Sequence, residues 1–146
     1  MEMSAVNTNH PVVNAVLNQK FHLAREQGTS MIFKVGDMSG MRLNEEETVI
    51  LLSNLLDNAI HECLKVVKAG RKAVIHIKLV QEGGKIIFSV KNPVLEKVQI
   101  TDGIVLDSNG GMHGIGLSNV KAVVDKYGGD FVISCDSEKF QAVVML

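Results

Sequence analysis

Apolar residues recur along this chain with two different periods, and the switches between them divide it into elements. Over residues 11–27, PVVNAVLNQKFHLAREQ puts Val13, Val16, Leu17, Phe21 and Leu23 or Ala24 on one stripe. That spacing predicts an amphipathic helix, with Pro11 near its start and Gly28 just past its end. SMIFKVG then alternates, Met31, Phe33 and Val35 on one side and Ile32 and Lys34 on the other, as a strand does. After the loop DMSGMRL, Asn44 is a good helix cap and three acids follow it, where the helix dipole favours negative charge. The helical pattern then runs from Val49 to Val67, and Gly70 supplies a stop.

AVIHIKLV and KIIFSVKN read as two strands joined by the hairpin connection QEGG. From Pro93 to Met112 the pattern dissolves into PVLEKVQITDGIVLDSNGGM. A loop of roughly twenty residues is uncommon in a compact domain unless it serves a function, so this segment is predicted to be a mobile lid. A last helix is predicted from about Gly114 to Tyr127, closed by Gly128 and Gly129. DFVISCD and KFQAVVML then form a closing hairpin. Strands in pairs, with helices free to lie on one face, predict an α+β two-layer sandwich. Its sheet should be mixed and mostly antiparallel, with about three helices on one side. Residues 1–8 are polar and unpatterned and are assigned to a linker remnant or chain end, leaving 9–146 as one domain.

Composition narrows the function. A chain of 146 residues, 46% hydrophobic and 21% charged, is in the globular range and fits one domain. Fifteen Lys and Arg oppose sixteen Asp and Glu, so no overall field draws it to nucleic acid or to a membrane surface, and any anion must be held locally. Cys63 and Cys135 lie in apolar stretches without the close Cys or His partners of a zinc site, and are expected as reduced thiols. No apolar run reaches the roughly eighteen residues of a membrane span, and the first ten residues are too polar for a signal peptide. A cytoplasmic location is expected.

Two segments could carry chemistry. In LLSNLLDNAI, Asn54 and Asn58 are four apart and share one helix face among apolar neighbours. Either they hydrogen-bond to each other or to a nearby strand, as buried amides must, or they are neutral oxygen donors for a hydrated Mg2+ ion. Taken alone, the pair favours the first reading. In GGMHGIGLSNV, four glycines lead into a helix whose free amides point outward. Such a segment suits polyphosphate, although a glycine-rich lid hinge has a similar composition. No Gly-Lys-Ser/Thr follows, which excludes a Walker loop, and a dinucleotide fingerprint would need a preceding strand.

Together and in this order, NLLDNAIHE and HGIGLSNVKAVVDKYGGDF resemble the two motifs of the Bergerat-fold (GHKL) ATPases, a superfamily that includes DNA gyrase, MutL and histidine kinases. Within it, the chain from Asn9 to Leu146 is most similar to the ATP-binding catalytic domains of sensor histidine kinases of the AgrC quorum-sensing type. The resemblance implies a protein-histidine kinase using ATP and Mg2+. Asn58 would be the metal ligand and Asn54 its companion beside the triphosphate. Gly114, Ile115, Gly116 and Leu117 would meet the phosphates, with His113 beside them, and the lid would close over residues 93–113. Asp57 and Glu62 are expected to support the helix or solvate its face, and His61 to be a surface residue.

Two departures from the superfamily pattern matter. Where the aspartate of a DxGxG box accepts a hydrogen bond from adenine, this chain has Asn92, in VKNPV. A neutral acceptor should forfeit about 1 kcal/mol, roughly fivefold in affinity, a departure the AgrC type shares. Asn54 stands where gyrase-like ATPases carry a glutamate base; an imidazole acceptor is already nucleophilic near neutral pH and needs none. The implied partners are ATP, a phosphoacceptor-histidine dimerisation domain of the same kinase, and a response regulator downstream. His10 and His22 lie in the wrong context to be that acceptor, so the isolated chain is expected to be a monomer that binds ATP without phosphorylating itself. Its parent would be membrane-anchored. Two rival readings stand: a nucleotide-dependent regulator resembling anti-sigma factors, and a degenerate GHKL domain serving as an interaction module.

Overall fold

The computed structural model describes residues 7–96, 99–101, 104–106 and 114–146. Along them run α1 (Pro11–Glu26), β1 (Ser30–Val35), α2 (Glu45–Lys68), β2 (Val74–Glu82), β3 (Lys85–Pro93), β4 (Gln99–Thr101), β5 (Ile104–Leu106), α3 (Gly114–Lys126), β6 (Asp130–Cys135) and β7 (Lys139–Met145). Every element predicted from periodicity is present. The segment after Pro93, predicted as loop throughout, carries β4 and β5 as an antiparallel pair. Three residues per strand is too short for an alternation to register.

Local chemistry sets the helix ends. Pro11 occupies the first turn of α1 and His10 caps it, Nδ1 accepting from the Val13 amide at 3.3 Å. Asn44 and Glu47 form a reciprocal capping box on α2: Asn44 Oδ1 accepts from the Glu47 amide at 2.8 Å, and Glu47 Oε1 from the Asn44 amide at 3.0 Å. Thr8, which the sequence leaves in the terminal segment, is buried. Its hydroxyl and amide donate to Asn14 Oδ1, and its carbonyl accepts from the Met38 amide at 2.7 Å.

The five-stranded sheet has the order β1-β2-β3-β7-β6. β1 and β2 are parallel, as a crossover through α2 requires, and the other neighbours are antiparallel. β2 and β3 meet at the two-residue turn Gly83-Gly84, closed by the Glu82–Lys85 pair. One face of the sheet is apolar: Ile75, Ile77 and Leu79, then Phe88 and Val90, then Phe140, Ala142 and Val144 are all buried. Leu51, Leu52, Leu55, Leu56 and Ala59 of α2 and Leu117, Val120 and Val124 of α3 complete that core. Each large side chain buried here contributes about 1.5–3 kcal/mol, which makes this single layer of contact the main source of stability. His76, Ile32 and Val132 on the other face are exposed. The result is the α+β two-layer sandwich with three helices that the pattern predicted.

Candidate functional site

Polar side chains interrupt the apolar face of α2 at one line. Asn54, Asn58 and Glu62 are successive i, i+4 neighbours, and the last two are buried, 7% and 6% exposed. Asn54 Nδ2 donates to the Ile50 carbonyl at 2.8 Å, which fixes the amide and turns its oxygen away from its own helix. Asn58 Oδ1 is buried without a hydrogen-bond partner. Among the described residues nothing donates to it, and an orphaned buried carbonyl costs about 1–3 kcal/mol, which a donor or a cation would offset. The reading in which the two amides satisfy each other does not hold in this structure.

The start of α3 abuts this line. A Cβ on Gly116 would stand 2.9 Å from Asn54 Oδ1 and 3.5 Å from its Cγ, so any larger residue here must displace the Asn54 amide or part the two helices. Gly114, Ile115, Gly116 and Leu117 are the first four residues of α3, whose amides have no acceptor within an α-helix. Leu117 anchors this turn through a buried side chain. Free amides and the positive end of a helix dipole therefore lie beside neutral amide oxygens, an arrangement suited to an anion together with its counter-cation. His113 lies outside the described residues, as do residues 97, 98, 102, 103 and 107–112 of the predicted lid.

Asn92 closes the inward row of β3. It follows Phe88 and Val90 on the core face, is 1% exposed, and pairs across the sheet with Phe140. Its Nδ2 donates to the Pro93 carbonyl at 2.9 Å, and its Oδ1 is buried without a partner among the described residues. The orientation leaves an acceptor pointing into the protein, as recognition of a donor group requires.

A second polar cluster ties the far ends of the two helices, and it was not legible from the sequence. Glu47 of α2 accepts from Lys126 Nζ at 2.5 Å and from the Tyr127 hydroxyl. The hydrogen bond from Lys126, that from Tyr127 and the Asn44 amide hold its carboxyl down to about 2. Lys126 and Tyr127 are raised in turn, chiefly by the same carboxylate. The Asn-x-x-Glu spacing signals the cap alone; a partner 79 residues away leaves no local trace. This clasp and the Asn54–Gly116 contact hold α3 against α2 near both of its ends.

The remaining α2 candidates separate by face. Asp57 is exposed and pairs with Lys20 of α1 at 2.8 Å, and His61 is exposed. Glu62, expected to support the helix or solvate its face, is buried, with Lys65 Nζ at 3.3 Å. Cys63 beside it is fully buried, and burial, then Glu62, pushes its thiol up to about 12, which makes it an inert core residue. Among the described residues, no group of three or more His, Cys, Asp or Glu could hold a metal, and no helix is long and apolar enough to cross a membrane.

The sequence pattern of the GHKL domain family matches residues 43–146, a span that contains Asn54, Asn58, Asn92 and the start of α3. No curated protein matches the sequence. Among solved structures, the catalytic domain of histidine kinase ThkA superimposes with a TM-score of 0.69 at 17% identity, covering 96% of this chain and 92% of its own. The histidine kinase domain of the blue-light activated histidine kinase EL346 from Erythrobacter litoralis gives 0.62 at 14% identity, covering 92% of this chain and 62% of its own. The Acinetobacter baumannii histidine kinase AdeS gives 0.62 at 17% identity, covering 93% of this chain and 62% of its own. The chain thus spans less than two thirds of the last two.

Proposed function

Because the chain belongs to the GHKL domain family, and its fold is that of histidine kinase catalytic domains, we propose that it is the ATP-binding catalytic unit of a sensor histidine kinase. The observation that carries this reading is the buried, unpartnered Oδ1 of Asn58, one helical turn along from the contact of Asn54 with Gly116. The proposed reaction moves the γ-phosphoryl group of ATP to an imidazole nitrogen on a dimerisation domain of the same kinase, and a response regulator then takes it. The motifs quoted above favour a receptor kinase of the AgrC type, membrane-anchored with this unit in the cytoplasm.

In this reading the first-turn amides of α3, from Gly114 to Leu117, receive the phosphate oxygens, with His113 beside them. Asn54, fixed by its bond to the Ile50 carbonyl, sets the width of the cleft next to the triphosphate. Asn92 Oδ1 accepts from the exocyclic amine of adenine, which removes one orphan from the core. Asn58 Oδ1 fits Mg2+, an ion that takes few protein ligands and fills its shell from water and phosphate; when bound, it neutralises charge on the transferring group. Asn54 is itself no base, and Glu62, farther along the same line, is paired with Lys65 at 3.3 Å; a nucleophile that is unprotonated near neutral pH needs neither. Catalysis by this chain is then positioning and exclusion of water, which phosphoryl transfer chiefly requires.

Calorimetric titration with a non-hydrolysable ATP analogue tests the reading. Saturable binding that depends on Mg2+ and is lost in Asn58→Ala is the expected result. Absence of binding at millimolar analogue would overturn it in favour of an interaction module without nucleotide.

A further inference from the structure

At the end of the sheet where β2 begins and β3 ends, the strands part. The β1–β2 pairing runs to Val74 and the β3–β7 pairing to Pro93, but the β2–β3 pairing ends at His76 and Lys91. The cause is in the sequence. The Val94 amide donates to the Glu138 carbonyl on the β7 side, so position 93 faces β2, and proline has no amide to give it. The opening forms a cavity of about 250 Å³ at the sheet end.

Its wall is basic. Lys72 enters from the segment before β2, Lys91 from β3 and Lys139 from β7, with His76 beside them and Glu138 as the one acid. None of the three lysines has an ion-pair partner among the described residues, whereas Lys78, farther along β2, pairs with Glu82 at 3.9 Å. Three lysines against one glutamate leave a local charge of +2 with His76 neutral, on a chain whose net charge is −1. Glu138 in the lining and Asp136 next to Lys139 offset part of this charge, and the remaining like charges repel one another unless an anion lies between them. Asn92, placed above at the adenine, also lines the notch, and the notch's volume lies just below the range of about 300–1,000 Å³ typical of drug-sized ligands, which favours a small one.

The geometry points to a second anion site in this notch, at the sheet end and without residues of α2 or α3 in its lining, that takes a small dianion of the phosphate-ester or dicarboxylate class. Charge matching selects a dianion, and the three lysines approach from three separate strands or their flanks, so that it would be gripped from several sides. Nothing in this inference depends on nucleotide binding at the α2–α3 site.

Amide chemical-shift titration of the chain with inorganic phosphate and, separately, with succinate tests it at low ionic strength, because the lysines are largely solvent-exposed and salt screens them. Saturable shifts at Val74, His76 and Lys91, weakened at least tenfold in Lys91→Ala/Lys139→Ala and unchanged in Lys78→Ala, are expected. A response to phosphate alone identifies a phosphate ester, and a response to succinate alone a dicarboxylate; an equal response to both assigns a site that reads charge. Shifts confined to Gly116 and Leu117, no saturation by 10-fold millimolar excess, or undiminished binding in the double variant would each overturn the proposal. A melting temperature of the double variant equal to or above that of the parent separates loss of ligand from loss of fold, since removing repelling charges should not destabilise it.

Discussion

A methyl group on Gly116 would stand 2.9 Å from Asn54 Oδ1. That distance lies inside normal contact, and the amide cannot swing away without breaking its 2.8 Å bond to the Ile50 carbonyl. Gly116→Ala is therefore expected to push the first turn of α3 away from α2, at a cost of about 1–3 kcal/mol in stability. Affinity for an ATP analogue should fall about tenfold or more, because the amides that would receive the phosphates move with that turn. Calorimetry and thermal unfolding measure the two effects. An alanine variant with parental affinity would remove the α3 first turn from the site.

Asn92 offers the reverse experiment. Its Oδ1 is buried and unpartnered, and Asp at this position would place a full charge at the same point. With nucleotide bound, the charged acceptor should tighten binding about fivefold, the converse of the 1 kcal/mol that a neutral acceptor forfeits. Without nucleotide, the uncompensated carboxylate should lower the melting temperature. Affinity and apo stability moving in opposite directions is the signature to look for in Asn92→Asp; if both fell together, Asn92 would not face the base.

How far the sequence reaches depends on how local each signal is. Ile75, Ile77 and Leu79 alternate, so β2 is visible, and Asn54 and Asn58 stand out because an amide pair at helical spacing interrupts an apolar run. Asn92 is visible only through the motif it replaces. β4 and β5 are hidden because three residues hold barely one alternation. Glu62 stayed open between supporting the helix and solvating its face because a charged residue is rarely buried, and no local spacing shows that the line it shares with Asn54 and Asn58 turns inward. The Glu47–Lys126 pair depends on two helices meeting, which composition and spacing do not report.

That pair has a pH signature. Glu47 is held at about 2 in the folded chain against 4.5 unfolded, so the folded state favours the ionised form. Its stabilisation is complete above pH 4.5 and is lost as pH falls from there toward 2. The melting temperature of Glu47→Gln should lie below that of the parent at pH 6, and the gap should close on acidification through that window. Asp37 and Asp136 are also lowered, each by hydrogen bonds from nearby main-chain amides, so the difference between parent and variant, not the parent curve alone, isolates Glu47. At the alkaline end, Tyr127 is raised from 10.0, and its bond to Glu47 should be lost as pH climbs above that value. A gap that persists unchanged at pH 2 would mean that the clasp acts through packing alone.

Adjacent residues on α2 should behave oppositely, and this gives the sharpest separation of scaffold from site. Successive helical residues point about 100° apart, so Asp57 faces α1 while Asn58 faces inward. Asp57 binds Lys20 at 2.8 Å, but its side chain is 52% exposed, so the pair contributes at most about 1 kcal/mol. Asp57→Asn should accordingly shift the melting temperature slightly and leave affinity for an ATP analogue within twofold, while Asn58→Ala, next to it, abolishes Mg2+-dependent binding. Lys20→Met should reproduce the small stability change, and the double variant should add little to either single one, because both remove the same interaction. A tenfold loss of affinity in Asp57→Asn without a matching loss in Lys20→Met would place Asp57 in the nucleotide site and enlarge that site beyond the Asn54–Asn58 face.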